Sequence, residues 1–175
     1  ALLQSLLINA DVLIINIPRD ESLERAGLSW DALHRRHPRL IVASITGYGR
    51  SGPYAGRSGY DLVAQGEAGL MALTGTPETV PMRYPIPLAD LTSGMYTTIG
   101  VLAALRARDV SGQGQLVDIS LLESQASYLT TLAGDYFATG QAPKPLGNAH
   151  PGIAPYQVYR AADRDVIIAV GSDKQ

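Results

Sequence analysis

Three short runs of apolar residues limit most strongly how this chain can fold. They lie at residues 11–16 (Asp11-Val12-Leu13-Ile14-Ile15-Asn16), 40–45 (Leu40-Ile41-Val42-Ala43-Ser44-Ile45) and 115–119. The first two are apolar at consecutive positions and rich in β-branched side chains. That pattern suits strands buried on both faces, as in a parallel sheet. Helical patterns stand around and between them: residues 1–9, a short helix from Glu21 to Ala26 closed by Gly27, and a second one capped by Ser29. Further patterns cover 62–73, about 90–108, and a stretch opened by the capping box Ser120-Leu121-Leu122-Glu123 that runs towards Phe137. Strands alternating with helices predict an α/β fold, a partial doubly wound, Rossmann-like layer.

From Gln141 the pattern changes. Residues 141–155 hold four prolines and two glycines around Asn148-Ala149-His150, and two short apolar runs near 158–160 and 166–170 then read as a hairpin. The expected organisation is one α/β domain over 1–140, with 141–175 as a linker and the start of a small α+β domain. Both ends read as cut within a longer chain, because an uncapped amphipathic run opens the sequence and an apolar strand all but closes it.

Composition excludes several function classes. A net charge of −2 gives no electrostatic case for nucleic acid or an anionic membrane surface. Without cysteine there is no disulfide framework, thiol nucleophile or thiolate metal site. No uninterrupted apolar run reaches the roughly 18 residues of a membrane span, and no signal peptide is recognisable. A cytoplasmic protein is the expectation, with neither membrane nor nucleic acid among its partners. His34 and His37 lie among arginines at no metal-ligand or triad spacing and read as solvated surface. No metal site is expected.

Two stretches can carry chemistry. The first is a loop over 46–61 with five glycines, three tyrosines and two arginines, which exposes backbone N–H groups and can receive an anion. Its spacing fits neither a phosphate-binding Walker loop nor a dinucleotide fingerprint. The second is Pro87-Leu88-Ala89-Asp90-Leu91-Thr92-Ser93-Gly94-Met95. Apolar residues recur at Leu91, Met95, Ile99, Leu102 and Leu105 on one helical face, which places Asp90 at the N-cap. There it is either a cap alone or an ionised nucleophile at the mouth of a cleft. The chain lacks a Gly-x-Ser-x-Gly elbow and paired histidines, and its only lysines are Lys144 and Lys174. What remains suits acyl chemistry through a carboxylate.

The order of several motifs resembles the class III CoA-transferases, the family of formyl-CoA and carnitine CoA-transferases that also contains α-methylacyl-CoA racemase. The matching residues are Ala10-Asp11-Val12, Asn16, Leu23-Glu24-Arg25-Ala26-Gly27, Gly47-Tyr48-Gly49-Arg50-Ser51-Gly52-Pro53-Tyr54 and Gly59-Tyr60-Asp61-Leu62-Val63-Ala64-Gln65. Ala89-Asp90-Leu91-Thr92-Ser93-Gly94, Gly112-Gln113-Gly114-Gln115 and Gly147-Asn148-Ala149-His150-Pro151 continue the match, which covers nearly the whole chain. The resemblance implies that 1–140 are part of a large CoA-binding domain. It also implies that Asp90 is the nucleophile, forming an aspartyl anhydride and then an aspartyl-CoA thioester. Asn16, Arg25, Gly49, Arg57, Tyr60, Asp61 and Arg83 are the implied contacts to CoA or substrate, with Gly147 and His150 in a loop that covers the site. CoA enters as a substrate, an acyl-CoA with a small carboxylic acid, and no cofactor is permanently bound. The family's interlocked homodimer is the implied assembly.

Racemases of the family carry a His before the Asp of the Gly-x-Asp segment, where this chain has Tyr60. With a pKa of about 10, tyrosine is a poor proton shuttle at neutral pH. Transfer is therefore favoured, the alternatives being a racemase or a non-catalytic CoA-binding fragment. The chain departs from the family at Ile17-Pro18-Arg19-Asp20-Glu21, which stands in place of an aromatic and Pro-Gly turn, and at Pro85, where glycine is common. Asp90 at a helix start is expected to stay charged, since the helix dipole favours an anion there.

Overall fold

Parallel pairing joins the three apolar runs into one sheet in the order β1-β2-β3, with β1 at Val12–Ile15, β2 at Ile41–Thr46 and β3 at Leu116–Ser120. The computed structural model describes residues 2–175. In register, Val12 stands opposite Ile41, and Val42 opposite Leu116. The middle strand is the most deeply buried, with Ile41 and Ala43 fully enclosed, because helices cover both of its faces.

Period-two alternation sorts the two layers. On one face Val42 joins Ile15, Leu7, Leu23, Leu28, Leu33 and Leu40, with Leu116 packed alongside. Leu7 comes from α1 (Leu2–Leu7), Leu23 from α2 (Asp20–Ala26) and Leu33 from α3 (Trp30–Arg36), Ile15, Val42 and Leu116 from the three strands, and Leu28 and Leu40 from connections. Burying one such side chain as completely as Leu33 stabilises the fold by about 2 kcal/mol. On the other face Ile45 packs against Ala64, Ala89 and Leu121, from α4 (Asp61–Glu67), α6 (Leu88–Ser111) and α7 (Leu121–Ala126). This is the doubly wound arrangement that alternation predicts.

Helix ends follow local chemistry. Asp20 and Glu21 occupy the first turn of α2, Arg25 the last, and Gly27 closes it with φ 69°. The Ser120 hydroxyl accepts the Glu123 N–H at 3.0 Å, as the expected capping box requires, while the Glu123 carboxylate accepts the Ser120 hydroxyl at 2.8 Å in place of the Ser120 backbone N–H. Two helices expected to be continuous are broken. Residues 61–73 split into α4 and α5 (Leu70–Leu73), with Gly69 between them at φ 86°. Beyond α7, a 3-10 turn (Ser127–Leu129) and a positive φ at Thr130 precede α8 (Thr130–Thr139). The hairpin forms from β4 (Tyr156–Arg160) and β5 (Asp165–Ala169), paired antiparallel.

Three expectations need correction. First, α6 begins at Leu88 with Pro87 as its N-cap, so Asp90 is the third helical residue and not the cap. Second, the Leu/Met/Ile face of α6 does not meet the sheet. Leu91, Met95, Ile99 and Leu102 are exposed, while the small residues Ala89, Thr92, Ser93, Thr97 and Ala104 are buried. Gly100 explains the choice: a Cβ there would run into Val117 of β3, so the helix approaches the strand along its small-residue face. By length and mean hydropathy this helix could cross a membrane, which the interrupted apolar runs of the sequence do not reveal. Third, His34 and His37 are not simply solvated: His34 stacks on Trp30 at 4.8 Å, and the His37 ring shares a 3.2 Å hydrogen bond with Gln4.

Candidate active site

A cleft of about 280 Å³ opens at the carboxyl ends of β1 and β2, the place where open α/β sheets collect ligands. Asn16 and Pro18 follow β1, and Ile45, Thr46 and Gly47 end β2. Ser58, Gly59 and Tyr60 return from the glycine-rich loop, Asp90 enters from the first turn of α6, and Leu121 from the start of α7.

The loop is shaped by a crossing of its own two ends. Gly47 and Gly59 lie so close that a Cβ on either would overlap the backbone of the other. Only glycine at both positions lets the chain leave the sheet and return beside its point of departure. The Gly49 N–H donates to Thr46 Oγ1 at 2.9 Å, and the Arg50 N–H to Asp118 at 2.9 Å. The Arg50 guanidinium reaches Asp20 at 2.6 Å, Ser44 at 2.8 Å and the Ile17 carbonyl at 3.0 Å. Arg50 thus ties the loop to the ends of β1 and β2. At the tip, Arg57 lies over the Tyr54 ring at 4.3 Å.

Asp90 is the one carboxylate in the cleft wall. No described residue gives it a hydrogen bond. As an N-cap it would have accepted the N–H of Thr92 or Ser93; as the third helical residue it accepts neither, and the first-turn N–H of Ala89 is capped from another helix by Asp61, whose Oδ1 accepts it at 2.7 Å. Desolvation against the cleft wall, followed by the negative charge of Asp61, pushes the Asp90 carboxyl above its ordinary value of 3.8. The expectation that the helix start holds Asp90 firmly ionised is therefore corrected: the dipole is outweighed, and the capping benefit goes to Asp61. A carboxylate without hydrogen-bond donors keeps its electron density, which favours nucleophilic attack whenever it is ionised.

Of the residues implied by the resemblance, Asn16, Tyr60 and Asp90 meet in the cleft, and Asp61 stands directly behind Asp90 through Ala89. The others lie outside its wall. Arg25 is exposed on α2 beside Ser22, Gly49 is buried inside the loop, and Arg57 is at the loop tip. Arg83 lies exposed in the segment before α6. Gly147 donates its N–H to the Gly75 carbonyl at 2.6 Å, and His150 packs on Tyr156 with Nδ1 accepting from Gly152. Sequence reasoning missed Thr46 and Gly47, which the rule of strand carboxyl ends could have found. It also missed Gln65, whose Asp61-to-Gln65 spacing of one helical turn was the available signal.

Comparison with known proteins bears on the family and the fold. The family model described as CoA-transferase family III matches residues 1–175. The succinate–glutarate CoA-transferase of Agrobacterium fabrum is 43% identical over 175 residues, which is 100% of this chain and 44% of that protein. The acetyl-CoA:oxalate CoA-transferase of Acetobacter aceti is 37% identical over 94% of this chain and 42% of its own length. A crystal structure of a CaiB/BaiF family protein from Brucella suis superimposes with a TM-score of 0.88 at 42% identity, covering 99% of this chain and 46% of that one. The chain spans less than half the length of these relatives. With the family model matched along its full length and relatives of that activity 37–43% identical to it, the chain belongs to CoA-transferase family III.

Proposed function

We propose that the protein transfers CoA from an acyl-CoA donor to a small carboxylic acid, with Asp90 as the covalent nucleophile. The observation that carries this reading is the unpartnered Asp90 carboxylate facing the cleft at the strand ends beside Asn16 and Tyr60. An Asp90 oxygen attacks the thioester carbonyl and expels CoA thiolate, leaving a mixed anhydride. The thiolate then attacks the aspartyl carbonyl and releases the donor acid, which leaves aspartyl-CoA. The acceptor carboxylate attacks that thioester, freeing CoA thiolate once more. Attack of the thiolate on the acceptor's acyl carbonyl yields the new acyl-CoA and regenerates Asp90. Every step exchanges one acyl bond for another, so no external oxidant, reductant or metal is required by the balance.

The relatives are named for succinate, glutarate and oxalate, and the reading takes small dicarboxylates as the first acceptors to test. The interlocked homodimer and the cytoplasmic setting belong to the same proposal. The exposed Leu91, Met95, Ile99 and Leu102 face of α6 supports an assembly that covers it. Quenching the complete gene product with hydroxylamine during turnover should leave a hydroxamate on Asp90, detected by peptide mass spectrometry. Asp90→Asn should lower kcat by about a thousandfold or more, a loss typical of removing a covalent nucleophile. Turnover without labelled Asp90 would sink the covalent route, and α-deuterium exchange without acyl transfer would redirect the reading to racemisation.

A further inference from the structure

Gln65 is a polar side chain with 1% of its surface exposed, and every hydrogen bond it makes leads to the segment that carries Asp90. Its Nε2 donates to Asp61 Oδ2 at 2.7 Å and to the Ile86 carbonyl at 3.4 Å. Its Oε1 accepts the Tyr84 N–H at 2.8 Å. Asp61, held through Oδ2, presents Oδ1 to the Ala89 N–H at 2.7 Å. One buried amide thus fixes the strap over 84–86 and, through Asp61, the first turn of α6. A carboxylate one residue past that anchor follows whatever the anchor does.

We infer that Gln65 is a positioning residue for the Asp90 nucleophile, acting through Asp61 and the backbone of residues 84–89. The inference rests on the reaction proposed above. The amide is suited to this task because it is neutral. It donates to Asp61 on one side and accepts from Tyr84 on the other, and it adds no charge next to two carboxylates that already repel each other. An apolar residue of the same length takes away the protein partners of both the Asp61 oxygen and the Tyr84 N–H, and with them the tie between the strap and α4. A glutamate can replace the amide only in its protonated form, when its O–H donates to Asp61. The charged groups on the elements around Gln65 are Asp61 and Glu67 on α4 itself, Arg83 next to the strap and Asp90 on α6. Glu67 is turned to Tyr48.

The test compares Gln65→Met and Gln65→Glu in the complete gene product, with two readouts. In steady-state kinetics, Gln65→Met should lower kcat about tenfold or more while KM for acyl-CoA changes less than about threefold, the signature of a misplaced reacting group. The activity of Gln65→Glu relative to wild type should rise as pH falls, because only the protonated glutamic acid restores the donor. In hydrogen–deuterium exchange, a peptide covering 84–92 should exchange about tenfold faster or more in Gln65→Met, with peptides over β2 and β3 unchanged. Wild-type kcat and exchange in Gln65→Met would overturn the inference. If Gln65→Met fails to fold, a flat pH ratio for Gln65→Glu overturns it equally. Wild-type protein without CoA transfer would instead defeat the proposed reaction, and the exchange readout would then decide on Gln65 by itself.

Discussion

At its last turn, α6 sends Arg108 into a nearly dry site, where the guanidinium donates to Asp11 Oδ1 at 2.8 Å and to the Arg39 carbonyl at 3.0 Å. At its first turn, about 27 Å away along the helix axis, Asp90 faces the cleft with no donor bonded to it, and the charge that acts on it is another carboxylate, Asp61. Opposite charges close one end and like charges load the other. The helix gains stability at its C-terminal end and gives some up at its N-terminal end. The C-terminal end holds α6 across β1 and the turn before β2, so that the N-terminal end can keep an unsatisfied carboxylate open to substrate. Cutting each end separately should therefore give opposite results in stability.

The largest stability effect is expected at Arg108. Replacing it in Arg108→Met removes three hydrogen bonds, two to carbonyls and one to Asp11. Asp11 is 73% exposed and regains water, and the buried Nε of Arg108 has no described partner. Both facts reduce the loss, so the expected cost is about 1–2 kcal/mol rather than the larger penalty of splitting a fully buried pair. Urea denaturation should show this with kcat changed less than about twofold. A variant as stable as wild type would mean that the C-terminal end is no anchor.

At the other end the sign reverses. The folded-state pKa of Asp90 lies above its ordinary value, so between the two pKa values the folded protein binds more protons than the unfolded chain. Stability then falls as pH rises through that window. Asp90→Asn removes this penalty, so the variant should melt above wild type at neutral pH. The gap should close as pH drops towards and below 3.8, where Asp90 is protonated in both states. The acid limb of kcat/KM in wild type should follow the same raised pKa and move to lower pH when the Asp61 charge is removed in Asp61→Asn. An Asp90→Asn variant that melts below wild type at pH 7 would break the comparison.

Much of this layout was legible in the sequence, because strands and caps are local. Consecutive apolar residues in 40–45 read as a strand buried on both faces, and Ser120 with Glu123 read as a helix start. The site was legible only at the level of motif order. Which face of α6 packs was misread because periodicity records that apolar residues share a face, not whether that face meets the sheet. A single glycine, Gly100 against Val117, settled the matter, and nothing in the helix pattern weighs one glycine so heavily. The state of Asp90 was misread for a related reason. The helix starts earlier than the apolar pattern suggests, so Asp90 is not the cap, and the first-turn N–H of Ala89 is capped by Asp61, a residue on another helix. A cap supplied from a distant element leaves no periodic trace.

The smallest effect is expected at Arg39 and locates the anchor of α6. Arg39 also reaches the C-terminal end of α6, its guanidinium donating to the Gly112 carbonyl at 3.4 Å. This bond is long and exposed, and the turn it touches is already fixed by backbone. The Gly112 N–H closes the helix onto the Arg108 carbonyl at 2.8 Å, and the Gly114 N–H donates to Pro38 at 2.7 Å. Gly114 also sits against the Leu40 carbonyl with no room for a Cβ. In Arg39→Ala the carbonyl that receives Arg108 remains, since it belongs to the backbone. The expected loss is below about 0.5 kcal/mol, the scale of an exposed side-chain contact. Urea midpoints for Arg39→Ala and Arg108→Met, measured side by side, check this. Equal losses would mean that the anchor is a shared surface network, whereas a clear loss in Arg108→Met alone fixes it on the one buried guanidinium.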